Sequence, residues 1–231
     1  MAEGALFLTG KIGRLGAVDA GTATMDFVDE ETERKLSISP ALGFVEHKGT
    51  KVNIIDTPGY AEFYSEVVPC LWVADAAVLV LDGIAGVEVQ SRKVYNAAVD
   101  RGVPVIAFVN KLDKEHSSFD NCIASLKDSL PGCQPVALQM PVGSESGFSG
   151  VVDLLTMKAT IGKGKDAKEQ DVPAEVADEA QAARDALIEE IAGTDEALME
   201  KFFENDTLTA EELASGLRRA VAEGTIVPVL C

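Results

Sequence analysis

The clearest pattern along the chain is a series of short apolar runs, each of which stops at a polar residue. Residues 52–55 lead to Asp56, residues 103–109 lead to Asn110, and a third run, residues 76–81, lies between them. Runs that are apolar at nearly every position are typical of buried parallel strands, which are covered on both faces. We therefore expect these runs to be strands of one sheet, with their polar ends at the edge where ligands bind.

Segments with helical patterning alternate with these strands. This rhythm of strand and helix predicts an α/β fold with a doubly wound, mostly parallel sheet. A glycine-containing turn at residues 48–50 predicts a hairpin between strands over 41–47 and 51–56. The polar, charged residues 11–39 read as a loop or a mobile switch. Helices are expected at the start of the chain, ending near Gly10, and over residues 61–73, 87–101 and 119–130.

The second half of the chain has a different pattern of apolar and polar residues. It predicts strands over residues 135–140 and 150–160, a loop over 161–171, and two acidic helices over 173–192 and 194–205. A third helix begins at Thr209, where Thr209 and Glu212 form a capping box. The chain closes on an apolar strand over residues 225–230. A smaller α+β subdomain is therefore expected as an insertion before the last strand of the parallel sheet.

Composition narrows the classes of function. The net charge of −18 disfavours nucleic-acid backbones, so no DNA partner is expected and any RNA contact must be local. Solubility alone is an alternative explanation of this charge. The 4 cysteines and 2 histidines form no paired metal-binding spacing, which fits a reducing cytoplasm. No apolar run approaches the roughly 20 residues of a membrane span, so no membrane partner is expected.

Asp56 and Gly59 form the first candidate site. An aspartate at the end of a buried strand can hold Mg²⁺ through a water, and the backbone N–H of Gly59 can reach a γ-phosphate. Glycine also allows the close backbone approach that a phosphate needs. The alternative is an ordinary surface turn of Asp-Thr-Pro-Gly composition.

The second candidate site is Asn110-Lys111-Leu112-Asp113. The Asp113 carboxylate can accept two hydrogen bonds from N1–H and N2–H₂ of guanine, which adenine cannot supply in that arrangement. Asn110 can reach the base edge, and the stem of Lys111 can lie over the ring. A polar loop after a strand is the alternative, but the two motifs together favour a guanine nucleotide site.

The chain contains no match to G-x-x-x-x-G-K-[ST], the loop that cradles nucleotide phosphates. Gly10-Lys11 has Ala5 where that loop needs its first glycine. We therefore expect the chain alone to bind GTP very weakly and to be inactive as an enzyme.

The sequence closely resembles translational GTPases of the elongation factor G type, especially the elongation factor G-like branch. The resemblance rests on the two motifs above and on residues 21–26, 33–38, 141–143 and 148–154, in that order. It implies a P-loop GTPase core over residues 1–133, without its first strand and phosphate loop. It further implies an inserted G′ subdomain over residues 134–224 and the last core strand over residues 225–231. The chain would then be a fragment of a longer GTPase.

The resemblance also implies ligands and roles. GTP or GDP would bind with Mg²⁺, which Ser37 and Asp56 would hold. Ser37 stands where the family usually has the metal-binding threonine. Tyr60 stands at the catalytic position, where the family usually has the histidine that positions the attacking water, and this departure predicts slower hydrolysis of GTP.

The resemblance implies a ribosome-associated GTPase that acts in elongation, for example in translocation. Its partners would be the factor-binding region of the large ribosomal subunit and the stalk proteins. A release-factor GTPase and a ribosomal protection protein are alternatives of the same class. A nucleotide-independent protein-binding module is the alternative from a different class.

Overall fold

The computed structural model describes residues 1–231 and contains two compact units, Met1–Ala74 and Asp75–Cys231. No helix in it combines the length and the apolar character needed to cross a membrane. The first unit consists of helices α1 (Ala2–Leu8), α2 (Asp29–Arg34) and α3 (Tyr64–Cys70) and strands β1 (Ala41–His47) and β2 (Thr50–Asp56).

Strands β1 and β2 form the hairpin that the sequence predicts. They pair antiparallel from Ala41 opposite Asp56 to His47 opposite Thr50. Lys48 and Gly49 in the turn both have left-handed backbone conformations, with φ of 48° and 78°. Two such residues match the right-handed twist of the flanking strands. The hairpin therefore ends β2 at Asp56 with a fixed register.

The core of the first unit lies between α1 and the hairpin. Strand β2 pairs with β1 alone, so its other edge has no partner strand. The expectation that residues 52–55 form a buried strand in one parallel sheet with the other two apolar runs is therefore wrong. The short turn at Lys48 and Gly49 pairs β2 antiparallel with β1 instead, and the first four residues of β2 are exposed. The segment predicted as a loop contains helix α2 and a single 3₁₀ turn, Val18–Ala20. The buried apolar residues of this core are Ala2, Leu6, Met25, Ala41 and Val45.

The second unit has a parallel sheet in the order β3-β4-β10-β5, in which every neighbouring pair is parallel. This confirms the predicted α/β fold with a parallel central sheet. Helix α4 follows β3, and helix α5 follows β4. The bounds are β3 (Ala77–Asp82), α4 (Val89–Val99), β4 (Val105–Asn110), α5 (Phe119–Ser129), β5 (Pro135–Ala137) and β10 (Val227–Leu230).

An antiparallel sheet and three helices lie between β5 and β10 in the sequence. The sheet has the order β6-β7-β8-β9, and its strands join the helices in one apolar core that includes Val152, Leu154 and Ile191. The bounds are β6 (Gln139–Val142), β7 (Gly150–Asp153), β8 (Lys158–Ile161), β9 (Lys168–Asp171), α6 (Ala177–Ala192), α7 (Glu196–Asn205) and α8 (Ala210–Ala222).

Two predicted strands are divided in the structure. The expected strand over residues 135–140 breaks at Leu138, whose N–H donates to Val229 while its carbonyl accepts from Leu154. Leu138 is thus the point at which the chain leaves the parallel sheet for the antiparallel one. The expected strand over residues 150–160 is interrupted by a turn at Asp153, whose carboxylate accepts the N–H groups of Leu155 and Thr156. The division into residues 1–133, 134–224 and 225–231 stays a prediction.

Candidate functional site

The base-reading loop, residues 110–118 at the end of β4, carries the predicted base-reading residues. Asp82 at the end of β3 lies opposite Asn110 at the end of β4. The N–H of Gly83 donates to the carbonyl of Asn110 at 2.8 Å, and the N–H of Ser118 donates to the carbonyl of Gly83 at 2.9 Å. Both ends of the loop are therefore fixed to the turn after β3.

Buried groups hold the middle of this loop. Leu112 is 6% exposed, and the hydroxyl of Ser117 donates to the carbonyls of Leu112 and Lys114 at 3.0 and 2.7 Å. Asp113 is exposed and has no hydrogen-bond partner in the structure. A rigid loop that presents an exposed carboxylate with free oxygens can accept paired hydrogen bonds from a ligand.

Lys111 adopts a left-handed backbone conformation, with φ of 64°. Its ammonium Nζ lies 2.8 Å from Oδ2 of Asp82. Oδ1 of the same carboxylate accepts the N–H of Ile84 at 2.9 Å. The hydrogen bond between the two side chains lowers the pKa of Asp82 and raises the pKa of Lys111. Both groups are therefore charged at neutral pH.

Asp56 and Gly59 lie in the first unit, where β2 ends. A Cβ atom added to Gly59 would meet no atom within 4 Å, and its φ is not in the left-handed region. Neither backbone conformation nor packing therefore requires glycine at residue 59, which is consistent with a position kept open for a ligand. Tyr60, the predicted catalytic residue, is 58% exposed.

The Asp56 carboxyl is partly buried. Burial raises its pKa, partly offset by the N-terminal ammonium, and the nearby carboxylates of Asp26 and Glu3 raise it further. Glu3 is itself held by the N–H groups of Gly16 and Thr24, each at 2.9 Å. Negative charge therefore concentrates around Asp56 without a side-chain cation beside it.

Ser37, the other predicted metal ligand, donates its hydroxyl to Oδ1 of Asp26 at 2.7 Å. The structure does not join Ser37 to Asp56 by a hydrogen bond. Glu31, fully buried, holds the surrounding segment because its carboxylate accepts the N–H groups of Val28, Ile38 and Ser39 at 3.1, 2.8 and 2.9 Å. The position of Ser37 is thus set by a polar network within residues 26–39.

The donor chemistry of Ser37 and Asp56 fits Mg²⁺. This cation usually takes only one or two protein oxygens and completes its octahedral shell with waters and nucleotide phosphates. No group of three or more His, Cys, Asp or Glu side chains is arranged to hold a metal ion.

Two functional candidates escaped the sequence patterns. Glu31 lies within an acidic run, Asp29 to Glu33, that reads as solvated, and only the fold shows that one of its members is buried. Asp82 could have been found, since it ends an apolar run just as Asp56 and Asn110 do.

A parallel sheet with a carboxylate-bearing loop at its carboxyl edge is the usual place of the ligand site in α/β domains. The sequence profile of the elongation factor Tu GTP binding domain matches residues 1–231. The chain therefore belongs to the elongation factor Tu GTP-binding domain family. This membership implies that it binds guanine nucleotides.

A crystal structure of a protein from Thermus thermophilus has a similar fold. It superposes with a TM-score of 0.89 at 29% sequence identity, over 99% of this chain. The chain spans 34% of the length of that protein.

Proposed function

We propose that this chain is the GTP-binding domain of an elongation factor G-like translation factor. In the full-length protein, GTP binding and hydrolysis would be coupled to a step of elongation on the ribosome, such as translocation, in the cytoplasm. The factor-binding region of the large subunit and the stalk proteins are the expected ribosomal partners. The order of motifs along the chain supports the elongation factor G-like branch within the family.

One observation carries the nucleotide-binding part of this proposal. The loop after β4 is fixed at both ends and in its middle, while Asp113 is left exposed and unpaired. In this proposal Asp113 accepts N1–H and N2–H₂ of guanine, Asn110 contacts the base edge and the Lys111 stem covers the ring. Adenine would leave the Asp113 carboxylate unpaired, which is a costly mismatch and therefore an efficient basis for specificity.

The first unit carries the residues proposed for phosphate and metal. Asp56 would bind Mg²⁺ through a water, Ser37 would ligate it directly, and the Gly59 N–H would contact the γ-phosphate. Ser37 can do so while its hydroxyl proton still donates to Asp26, because the metal would bind a lone pair of the same oxygen. Bound GTP would then hold the switch, residues 11–39, in a second arrangement around the metal, and hydrolysis would release it.

Nucleotide competition tests the binding proposal. The ¹⁵N-labelled chain at high concentration is titrated with GDP, ADP and xanthosine diphosphate, and amide shifts are followed at residues 110–118. GDP should shift these amides at lower concentration than either competitor. Equal shifts with ADP and GDP would contradict guanine recognition by this loop.

The role of Tyr60 needs the full-length protein with ribosomes. Imidazole exchanges protons near neutral pH and a phenol does not, so Tyr60→His should raise ribosome-stimulated GTP turnover. Tyr60→Phe removes the hydroxyl at the same size and serves as the control. A lower turnover in Tyr60→His would show that hydrolysis is adapted to tyrosine.

A further inference from the structure

The ion pair between Asp82 and Lys111 joins two neighbouring strand ends of the parallel sheet. Asp82 ends β3, and Lys111 directly follows β4. The two side chains are 27% and 55% exposed, and their charged atoms lie 2.8 Å apart. Exposed ion pairs contribute little to the stability of folded proteins. Stability alone therefore gives little reason for this pair.

Backbone N–H groups orient the Asp82 carboxylate independently of the lysine. Its Oδ1 accepts the N–H of Ile84 at 2.9 Å and, at the longer distance of 3.4 Å, that of Ala85. This leaves Oδ2 directed at the Lys111 ammonium. A lysine has a flexible four-carbon stem that otherwise samples many rotamers. Here the left-handed backbone at residue 111 fixes one end of the stem, and Asp82 fixes the other.

A second ion pair in the same unit provides a comparison. Lys158 on β8 contacts Asp171 on β9 at 2.6 Å, and their side chains are 46% and 91% exposed. The Asp171 carboxylate accepts no hydrogen bond from a backbone N–H group, and neither residue belongs to the base-reading loop. The pair has the same chemistry without the fixed carboxylate.

We propose that Asp82 is a positioning residue for guanine nucleotide binding, acting through Lys111. It holds the lysine stem in one orientation, so that the surface against which the base packs is ordered before the nucleotide binds. It also neutralises the ammonium, which would otherwise attract phosphate groups to the base position. This inference rests on the proposed guanine recognition by Asn110, Lys111 and Asp113. Preorganisation of this kind increases affinity because less side-chain freedom is lost on binding.

The first measurement needs no nucleotide. In the 231-residue chain, ¹⁵N relaxation and pH titration of the lysine ammonium groups are recorded for the wild type, Asp82→Asn and Asp171→Asn. Asp82→Asn should increase the mobility of Lys111 and lower its pKa, while Lys158 is unchanged. Asp171→Asn should increase the mobility of Lys158 and lower its pKa, while Lys111 is unchanged. An equally ordered Lys111 in Asp82→Asn would overturn the proposal.

The second measurement is the dissociation constant for GDP, from amide shifts of the same proteins and of Asp82→Ala. Immobilising one flexible side chain corresponds to a weakening of about 2- to 10-fold for Asp82→Ala. Asp171→Asn should bind as the wild type does. Unchanged affinity for GDP in both Asp82 variants would overturn the inference and leave the proposed function standing.

A wild-type chain without a GDP-dependent shift would overturn both the proposed function and the inference. Asp82→Asn keeps the side-chain shape and can still accept the Ile84 N–H. The Lys111 measurement on this variant therefore decides the positioning role even if Asp82→Ala fails to fold.

Discussion

The N–H of Gly83 donates to the carbonyl oxygen of Asn110 at 2.8 Å, and this contact attaches the base-reading loop to the neighbouring strand. A Cβ atom at residue 83 would lie 3.0 Å from that oxygen, 3.1 Å from Leu112 and 3.2 Å from Ser117. Glycine is therefore required here by close packing on several sides.

Gly83→Ala should displace the loop. Adding a methyl group to a filled site typically costs about 1–3 kcal/mol, so the free energy of unfolding should fall by that amount in urea titrations. Affinity for GDP should fall as well, because Asn110 and Leu112 must move. Gly147→Ala is the matched control, since a Cβ there meets nothing within 4 Å. A Gly83→Ala protein with wild-type stability and affinity would show that the loop tolerates displacement.

Glu31→Gln tests the network around Ser37. The amide keeps the size of the side chain but loses the charge that accepts from Val28, Ile38 and Ser39. Hydrogen bonds to charged groups contribute about 1.5–3 kcal/mol each, so hydrogen exchange at Ile38 and Ser39 should become faster. Glu30→Gln changes a less buried neighbour in the same helix and should leave that exchange unaltered. Equal protection in both variants would contradict the role given to Glu31.

The same carboxylate predicts a pH dependence. Burial alone would raise the pKa of Glu31. The hydrogen bonds that its carboxylate accepts from backbone N–H groups outweigh this effect and lower the pKa below the usual 4.5. A group whose pKa is lower in the folded than in the unfolded state stabilises the fold at pH values above its unfolded-state pKa. This stabilisation is lost as the pH falls through the folded-state pKa. Protection of the Ile38 amide should therefore be constant near neutral pH and fall in acid below 4.5. An Ile38 amide that loses protection as the pH rises would contradict this prediction.

Helix α8 provides a test of the sequence-derived capping box. Thr209 accepts the N–H of Glu212 at 3.3 Å, and the Glu212 carboxylate accepts the N–H of Thr209 at 3.0 Å. Loss of such a cap typically costs about 1 kcal/mol, so Thr209→Ala should lower the free energy of unfolding accordingly. Thr207→Ala, at an exposed position without these bonds, should have no such effect. Equal effects would mean that the cap is not what stabilises this helix start.

The sequence predicted those elements whose signals are local. The capping box at Thr209, the hairpin turn at Lys48 and Gly49, and the strands that end at Asp56 and Asn110 all follow from residues close in the chain. The break at Leu138 could not be predicted, because the apolar pattern continues while the hydrogen-bond partners change from β10 to the residue that follows β7.

The candidate site shows the same limit. The residue types of the base-reading loop were sufficient to name Asn110, Lys111 and Asp113 as candidates. The partners that hold the loop, Asp82 and Gly83, come from the end of an earlier strand, and only the parallel pairing of β3 with β4 brings them there. The burial of Glu31 depends likewise on the packing of the first unit.

Guanine recognition should depend most directly on Asp113, and Asp113→Asn in the full-length protein tests this. Hydrogen bonds to a charged acceptor contribute about 1.5–3 kcal/mol each, so loss of the two to guanine should lower GDP affinity roughly 100- to 10,000-fold. Xanthosine diphosphate carries a carbonyl where guanine has its amino group, and the new amide can donate to it. The variant should therefore prefer xanthosine diphosphate, while Asp128→Asn, an exposed change on α5, should keep the preference for GDP. An unchanged preference for GDP in Asp113→Asn would contradict the assignment of this loop as the base reader.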